Sequence, residues 1–141
     1  MIVVDTSVVI KWIFKNEDNW SDAFSLYEKH LKRVEEIVVP QLLFYEVANV
    51  LATKSKIQYK TIASDMNFLY EANLITYREK NNELIQTATL AKKYKTSVYD
   101  MLYAVVAKNK KCILVTADEN FVNKTRFRHV KLLRELEKKS S

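Results

Sequence analysis

The chain alternates between short, wholly apolar runs and longer stretches in which apolar positions recur three or four residues apart. Met1–Val4, Ile37–Val39 in "EIVVP" and Cys112–Val115 in "CILVTAD" are continuous apolar runs of strand length. "HVKLL" (129–133) predicts a late strand, and "LITYRE" (74–79) a short extended stretch. Helical spacing occupies the intervals. One helix opens after Asp5 and carries Val8, Val9, Trp12 and Ile13. Trp20–Arg33 carries Ala23, Leu26, Tyr27 and Leu31. Gln41–Lys54 presents Leu43, Val47, Val50 and Leu51, and Thr61–Asn73 presents Ile62, Met66, Leu69 and Tyr70. Asn82–Lys95, Val98–Asn109 and the short Glu119–Lys124 complete the set. Pro40 is expected in the first turn of the helix that follows it, where a missing N–H costs nothing. Apolar strands separated by helices predict an α/β fold, a doubly wound parallel sheet flanked by helices on both faces. A single domain over 1–141 is expected, with a charged tail from about residue 134, "RELEKKSS", that frays.

Composition narrows the chemistry chiefly through what is missing. The 141 residues contain no glycine. Dinucleotide fingerprints, phosphate-cradling loops and nucleophile elbows all need glycine where backbone approaches a ligand or turns sharply, so these classes are excluded. His30 and His129 are the only histidines, and neither has zinc-ligand neighbours in sequence. Cys112 is alone, which rules out an internal disulfide and fits a reducing, cytoplasmic setting. No apolar run approaches a membrane span, and no secretory leader is read at the N-terminus. The net charge of +6 is lopsided: residues 1–70 hold 8 Lys/Arg against 9 Asp/Glu, whereas 71–141 hold 15 against 8. Such an excess suits a polyanion such as RNA, though a lysine-rich solvated surface has the same composition.

Four acids stand where a doubly wound sheet would gather ligands. Asp5 ends the first strand, and Asp118 follows the "ILVT" strand at the same edge, the edge where such sheets bind ligands. Glu46 lies beside the apolar face of its helix, with Asn49 one turn on as a possible support. Asp100 sits in the first turn of the 98–109 helix. There it could equally complement the helix dipole, with Ser97 as an alternative cap. Taken singly, each acid has an ordinary structural role. Taken together, clustered carboxylates call for a cation, and oxygen-only ligands suit Mg²⁺ or Mn²⁺. Thr6, Ser7 and Thr116 could orient a carboxylate, cap the following helix, or both.

In that order, "MIVVDTSVVIKW", "PQLLFYEVANVL", "SVYDMLYAVVA" and "LVTADENF" resemble the four signature blocks of PIN-domain proteins, most closely the VapC-type toxins of prokaryotic type II toxin–antitoxin systems. The blocks span Met1 to Phe121. The resemblance implies a PIN-like fold and metal-dependent endoribonuclease activity. It places Asp5, Glu46, Asp100 and Asp118 at the family's metal-binding, water-activating acids, with Thr6 and Thr116 as the hydroxyls accompanying the first and last. It further implies an RNA substrate, a homodimer, and an antitoxin whose C-terminal segment occludes the acidic cleft. Two departures stand out. Met101 replaces a small residue and is expected to narrow the cleft. "KKYKTS" lacks the usual glycine, so another residue must end that helix.

The leading function is therefore a Mg²⁺/Mn²⁺-dependent endoribonuclease, with the basic second half holding the RNA backbone. The alternative is a non-catalytic RNA- or partner-binding module on the same fold. A phosphotransferase using Asp5 as nucleophile is disfavoured, because the second acid expected two residues later is Ser7.

Overall fold

The computed structural model describes residues 1–54 and 56–136. Five strands form one parallel sheet: β1 (Ile2–Val4), β2 (Ile37–Pro40), β3 (Ile75–Tyr77), β4 (Ile113–Thr116) and β5 (Val130–Leu132), in the spatial order β3-β2-β1-β4-β5. β1 is central, pairing Val3 with Val38 on one side and with Leu114 on the other. All three β1 residues are buried, as an unalternated apolar strand covered on both faces should be.

Seven helices link and flank the sheet: α1 (Thr6–Ile13), α2 (Trp20–Leu31), α3 (Leu42–Thr53), α4 (Tyr59–Glu71), α5 (Asn81–Tyr94), α6 (Val98–Asn109) and α7 (Glu119–Thr125). An eighth, α8 (Leu133–Leu136), follows β5 directly. α6 packs on β1, β2 and β4, with α5 outside it, whereas α1 and α3 cover the other face and carry α2 and α4. Every residue from Met101 to Ala107 is buried, since α6 lies between the sheet and α5.

Four details differ from the sequence expectations. Residues 134–136 of the supposed tail are helical: Leu133 is buried and Arg134 pairs with Glu119. Residues 137–141 lie outside the described residues. Pro40 is the last residue of β2, not part of a helix, tolerated where the ladder ends. Leu31 and Tyr70 are on predicted apolar faces yet exposed, each at the margin of its helix's buried stripe. Met101 is fully buried and turned into the core, so it does not narrow the cleft.

The glycine-free chain solves its turns with other residues. Asn19, Arg33, Asn73, Lys95, Lys111 and Arg126 all adopt left-handed backbone, with φ between 52° and 60°. Lys95 ends α5 in this way, filling the position for which a glycine was missed. His30 is buried and structural: Nδ1 accepts from the Ile37 N–H at 3.0 Å, so Nε2 carries the proton and donates to the Ala72 carbonyl at 3.0 Å. His129 Nε2 contacts the Ala104 carbonyl. Among the described residues no helix is long and apolar enough to cross a membrane.

Candidate active site

Chain connections run from β1 outward through β2 and β3, then return across the sheet to β4 and β5. The direction of winding thus reverses between β1 and β4. Beyond the carboxyl ends of those two strands lies the crevice where open α/β sheets bind ligands. Asp5 leaves β1 into this crevice, and Asp118 follows β4 by two residues.

Asp5 occupies the N-cap position of α1, but its carboxylate makes no capping hydrogen bond. Instead Oδ1 accepts from the Ser7 hydroxyl at 2.5 Å, and Oδ2 accepts from the Thr116 hydroxyl on β4, also at 2.5 Å. Ser7 in turn accepts from the Ala117 N–H at 2.9 Å, and Thr116 Oγ1 accepts from the Asp118 N–H at 3.0 Å. The carboxylate is therefore pinned across the crevice. Burial pushes its pKa from 3.8 up to about 6; the two hydroxyls pull it back only partly, and the Asp100 charge adds to the rise.

Glu46, on α3, is held from two directions. Its Oε1 accepts from the Thr6 hydroxyl at 2.8 Å and from the Tyr103 phenol at 2.5 Å. Tyr103 is buried in α6, and its own ionisation is driven upward by that burial and by Glu46. The hydroxyl expected to accompany Asp5, Thr6, serves Glu46 instead. The one expected beside Asp118, Thr116, donates to Asp5 while receiving the Asp118 N–H. No hydrogen bond joins Asn49 to Glu46, although both line one groove.

Asp100 opens the exposed end of α6, where Ser97 caps the helix by accepting the Asp100 N–H at 3.0 Å. Its carboxyl is raised above the usual range, first by desolvation, then by the Asp118 and Glu46 charges, while Ser97 and Lys124 oppose this. Asp118 caps α7, its Oδ1 accepting from the Phe121 N–H at 3.1 Å. Asp100 and Asp118 share a small cavity of about 90 Å³ rimmed by Lys95 and Lys124, whose Nζ donates to the Lys95 carbonyl at 3.0 Å.

The four acids are thus electrostatic neighbours: Asp100 feels Asp118, Glu46 and, through the Asp5 shift, Asp5. Among the described residues, however, no three His, Cys, Asp or Glu side chains are gathered closely enough to hold a metal ion. Glu46 is drawn to Thr6 and Tyr103, and Asp118 to its helix cap, which accounts for the open arrangement. In donor chemistry the cluster suits a hard divalent cation. Every donor the four acids offer is oxygen, and burial and mutual repulsion raise two of them. Tyr103 is the site residue that sequence reading passed over. Three residues beyond Asp100, it shares that acid's helix face, a spacing that could have marked it.

The PIN domain family model matches residues 2–126. The chain belongs to the PIN-domain family. Its PIN fold is shared by solved structures of low identity. PAE2754 from Pyrobaculum aerophilum is 21% identical with a TM-score of 0.71, the match covering 96% of this chain and 85% of that one. Mycobacterium tuberculosis VapC20, a sarcin–ricin loop cleaving toxin, is 12% identical with a TM-score of 0.68, covering 89% and 95%. A toxin–antitoxin complex from Klebsiella pneumoniae contains a chain 13% identical, with a TM-score of 0.62, covering 94% and 98%. No curated protein matches the chain.

Proposed function

We propose that this PIN protein is a Mg²⁺- or Mn²⁺-dependent endoribonuclease, the toxin of a toxin–antitoxin pair. The observation that carries the reading is Asp5, a carboxylate buried at the sheet's reversal point, pinned by Ser7 and Thr116 and charged against its surroundings. Such an arrangement is costly unless a cation or proton compensates it. Asp5, Glu46, Asp100 and Asp118 are the ligands in this reading. A divalent cation bound there would supply positive charge to the carboxylates and promote attack of water on a phosphodiester.

The chain's own groups do the positioning. Ser7 and Thr116 fix both Asp5 oxygens, and Thr6 and Tyr103 fix one oxygen of Glu46, leaving Oε2 without a hydrogen-bond partner among the described residues. Lys95 and Lys124 bring positive charge to the rim, where an RNA phosphate would be drawn in. The RNA-cleaving VapC20 supports the substrate class, and the Klebsiella pneumoniae complex supports an antitoxin as partner. A homodimer acting in the cytoplasm completes the reading.

The test is cleavage of a pool of structured and single-stranded RNAs with Mg²⁺, Mn²⁺ or chelator, comparing wild type with Asp5→Asn. Metal-dependent cutting that Asp5→Asn abolishes is the expected result. Undiminished cutting by the variant overturns the assignment of the site. RNA binding without turnover under any of these conditions would favour the non-catalytic module.

A further inference from the structure

A second groove adjoins the acids and shares no lining residue with the cavity that Lys95 and Lys124 rim. It has a volume of about 360 Å³, and its walls include Thr6, Tyr45, Glu46, Asn49 and Tyr99. Two of these, Thr6 and Glu46, already belong to the acid centre. Tyr45 directly precedes Glu46 on α3, and Tyr99 directly precedes Asp100 on α6. Successive helix residues point about 100° apart, so each acid and its preceding tyrosine can serve adjoining hollows. The two residues are 69% and 60% exposed, far more than tyrosines that pack a core. The exposed Asn49 side-chain amide has no hydrogen-bond partner among the described residues, leaving a donor and an acceptor free inside the groove.

We propose that the groove bounded by Tyr45 and Tyr99 is a stacking subsite for one unpaired nucleobase of an RNA strand whose backbone crosses the acid centre. The proposal rests on the ribonuclease reading for its choice of ligand. Its chemistry divides along the helix starts. Lys95 and Lys124 rim the cavity that holds Asp100 and Asp118, where phosphates belong, whereas the groove that holds Glu46 is lined by aromatic rings and an amide, where a base belongs. Aromatic faces stack on any base, and an amide can read a base edge. A duplex hides its base faces in its own stack, so only single-stranded or flipped-out nucleotides can enter. The two tyrosines thereby select unpaired RNA at the cleavage position.

The probe is a fluorescein-labelled single-stranded RNA of roughly 12 nucleotides, the scale of one single-strand binding site. It is compared with the same strand annealed to its complement. Binding is followed by anisotropy in the Asp5→Asn background, which removes turnover. Single-strand binding should exceed duplex binding. Tyr45→Ala and Tyr99→Ala should each weaken it about 10-fold. Tyr→Phe at either position should retain affinity, whereas Tyr→Leu, which keeps the bulk without the π-face, should not. Equal affinity for duplex, or full affinity in both alanine variants, overturns the subsite.

Sedimentation of the same variants covers the remaining occupant. If the alanine changes dissociate a dimer and weaken single strand and duplex alike, a second copy fills the groove and the proposal fails. The outcome is separable from the fate of the acid centre. Wild type that cuts no RNA yet binds single strand through both tyrosines would refute the nuclease reading and leave the subsite standing. Cutting abolished by Asp5→Asn, with binding indifferent to both tyrosines, would do the reverse.

Discussion

Asp5 shows how a single side chain can be bound firmly and still be a burden. With a folded pKa of about 6 against an ordinary 3.8, the native protein holds a proton that the unfolded chain has already released between those pH values. Unfolding therefore releases protons in that window, and stability falls as pH rises from about 4 to 6. Asp100, raised for related reasons, contributes with the same sign. In metal-free protein, Asp5→Asn should flatten this segment of the urea-midpoint profile and raise the midpoint at pH 7, even as it removes activity. A variant less stable than wild type at pH 7 would show that the Ser7 and Thr116 bonds outweigh the burial. Tyr103 acts at the same scale through one hydroxyl. On the ribonuclease reading, Tyr103→Phe, which leaves Glu46 with Thr6 alone, should raise the half-saturating Mn²⁺ concentration for cleavage by about tenfold. Unchanged metal dependence would make the phenol a purely structural group.

Among the elements, the absence of glycine has the clearest energetic cost. Arg33 and Arg126 are exposed and hold left-handed backbone just beyond helices, where a Cβ is unfavourable. Arg33→Gly and Arg126→Gly should each stabilise the protein by about 0.5–1 kcal/mol in urea titrations, the relief exceeding the added freedom of the unfolded chain. Most elements were legible because period and length agree: "IVV" and "ILVT" can only be buried strands, and α6 begins where Ser97 announces a cap. α8 was not, because what holds it is the burial of Leu133, a tertiary contact that local sequence does not contain. The acids themselves stood out by their position after strands and near helix starts. Their hydroxyl partners Thr6, Ser7 and Thr116 were legible as a set, but which acid Thr6 and Thr116 each serve was not. Thr116 lies beside Asp118 in sequence, but strand pairing brings its hydroxyl to Asp5. Thr6 lies beside Asp5, and the first turn of α1 carries it to Glu46. Met101 misled because a substitution next to an acid was taken to share its direction, whereas adjacent helix residues diverge.

Over the whole molecule the positive charge of the second half is divided. Lys95 and Lys124 stand at the acid crevice, while Lys108, Lys111 and Arg128 line a different groove at the start of β4, the opposite end of that strand. Only part of the basic excess of the second half therefore stands beside the acids. For a short RNA in the Asp5→Asn background, Lys124→Ala should lower the slope of log affinity against log salt by about 1, whereas Lys111→Ala should leave it unchanged. Equal effects would mean that the strand wraps from one end of the sheet to the other. The strand order carries a further consequence. β1 is synthesised first but sits in the middle, and Asp5 meets Thr116 across 111 residues of chain. That closure is strongly non-local, and its loop-closure entropy slows the step that joins β4 to β1. It also means that a chain still emerging from the ribosome, with β4 not yet released, presents Asp5 beside an empty edge. On the ribonuclease reading, every truncated or stalled translation product ending before β4 is harmless, and activity begins only once β4 has brought Thr116 and Asp118 to Asp5.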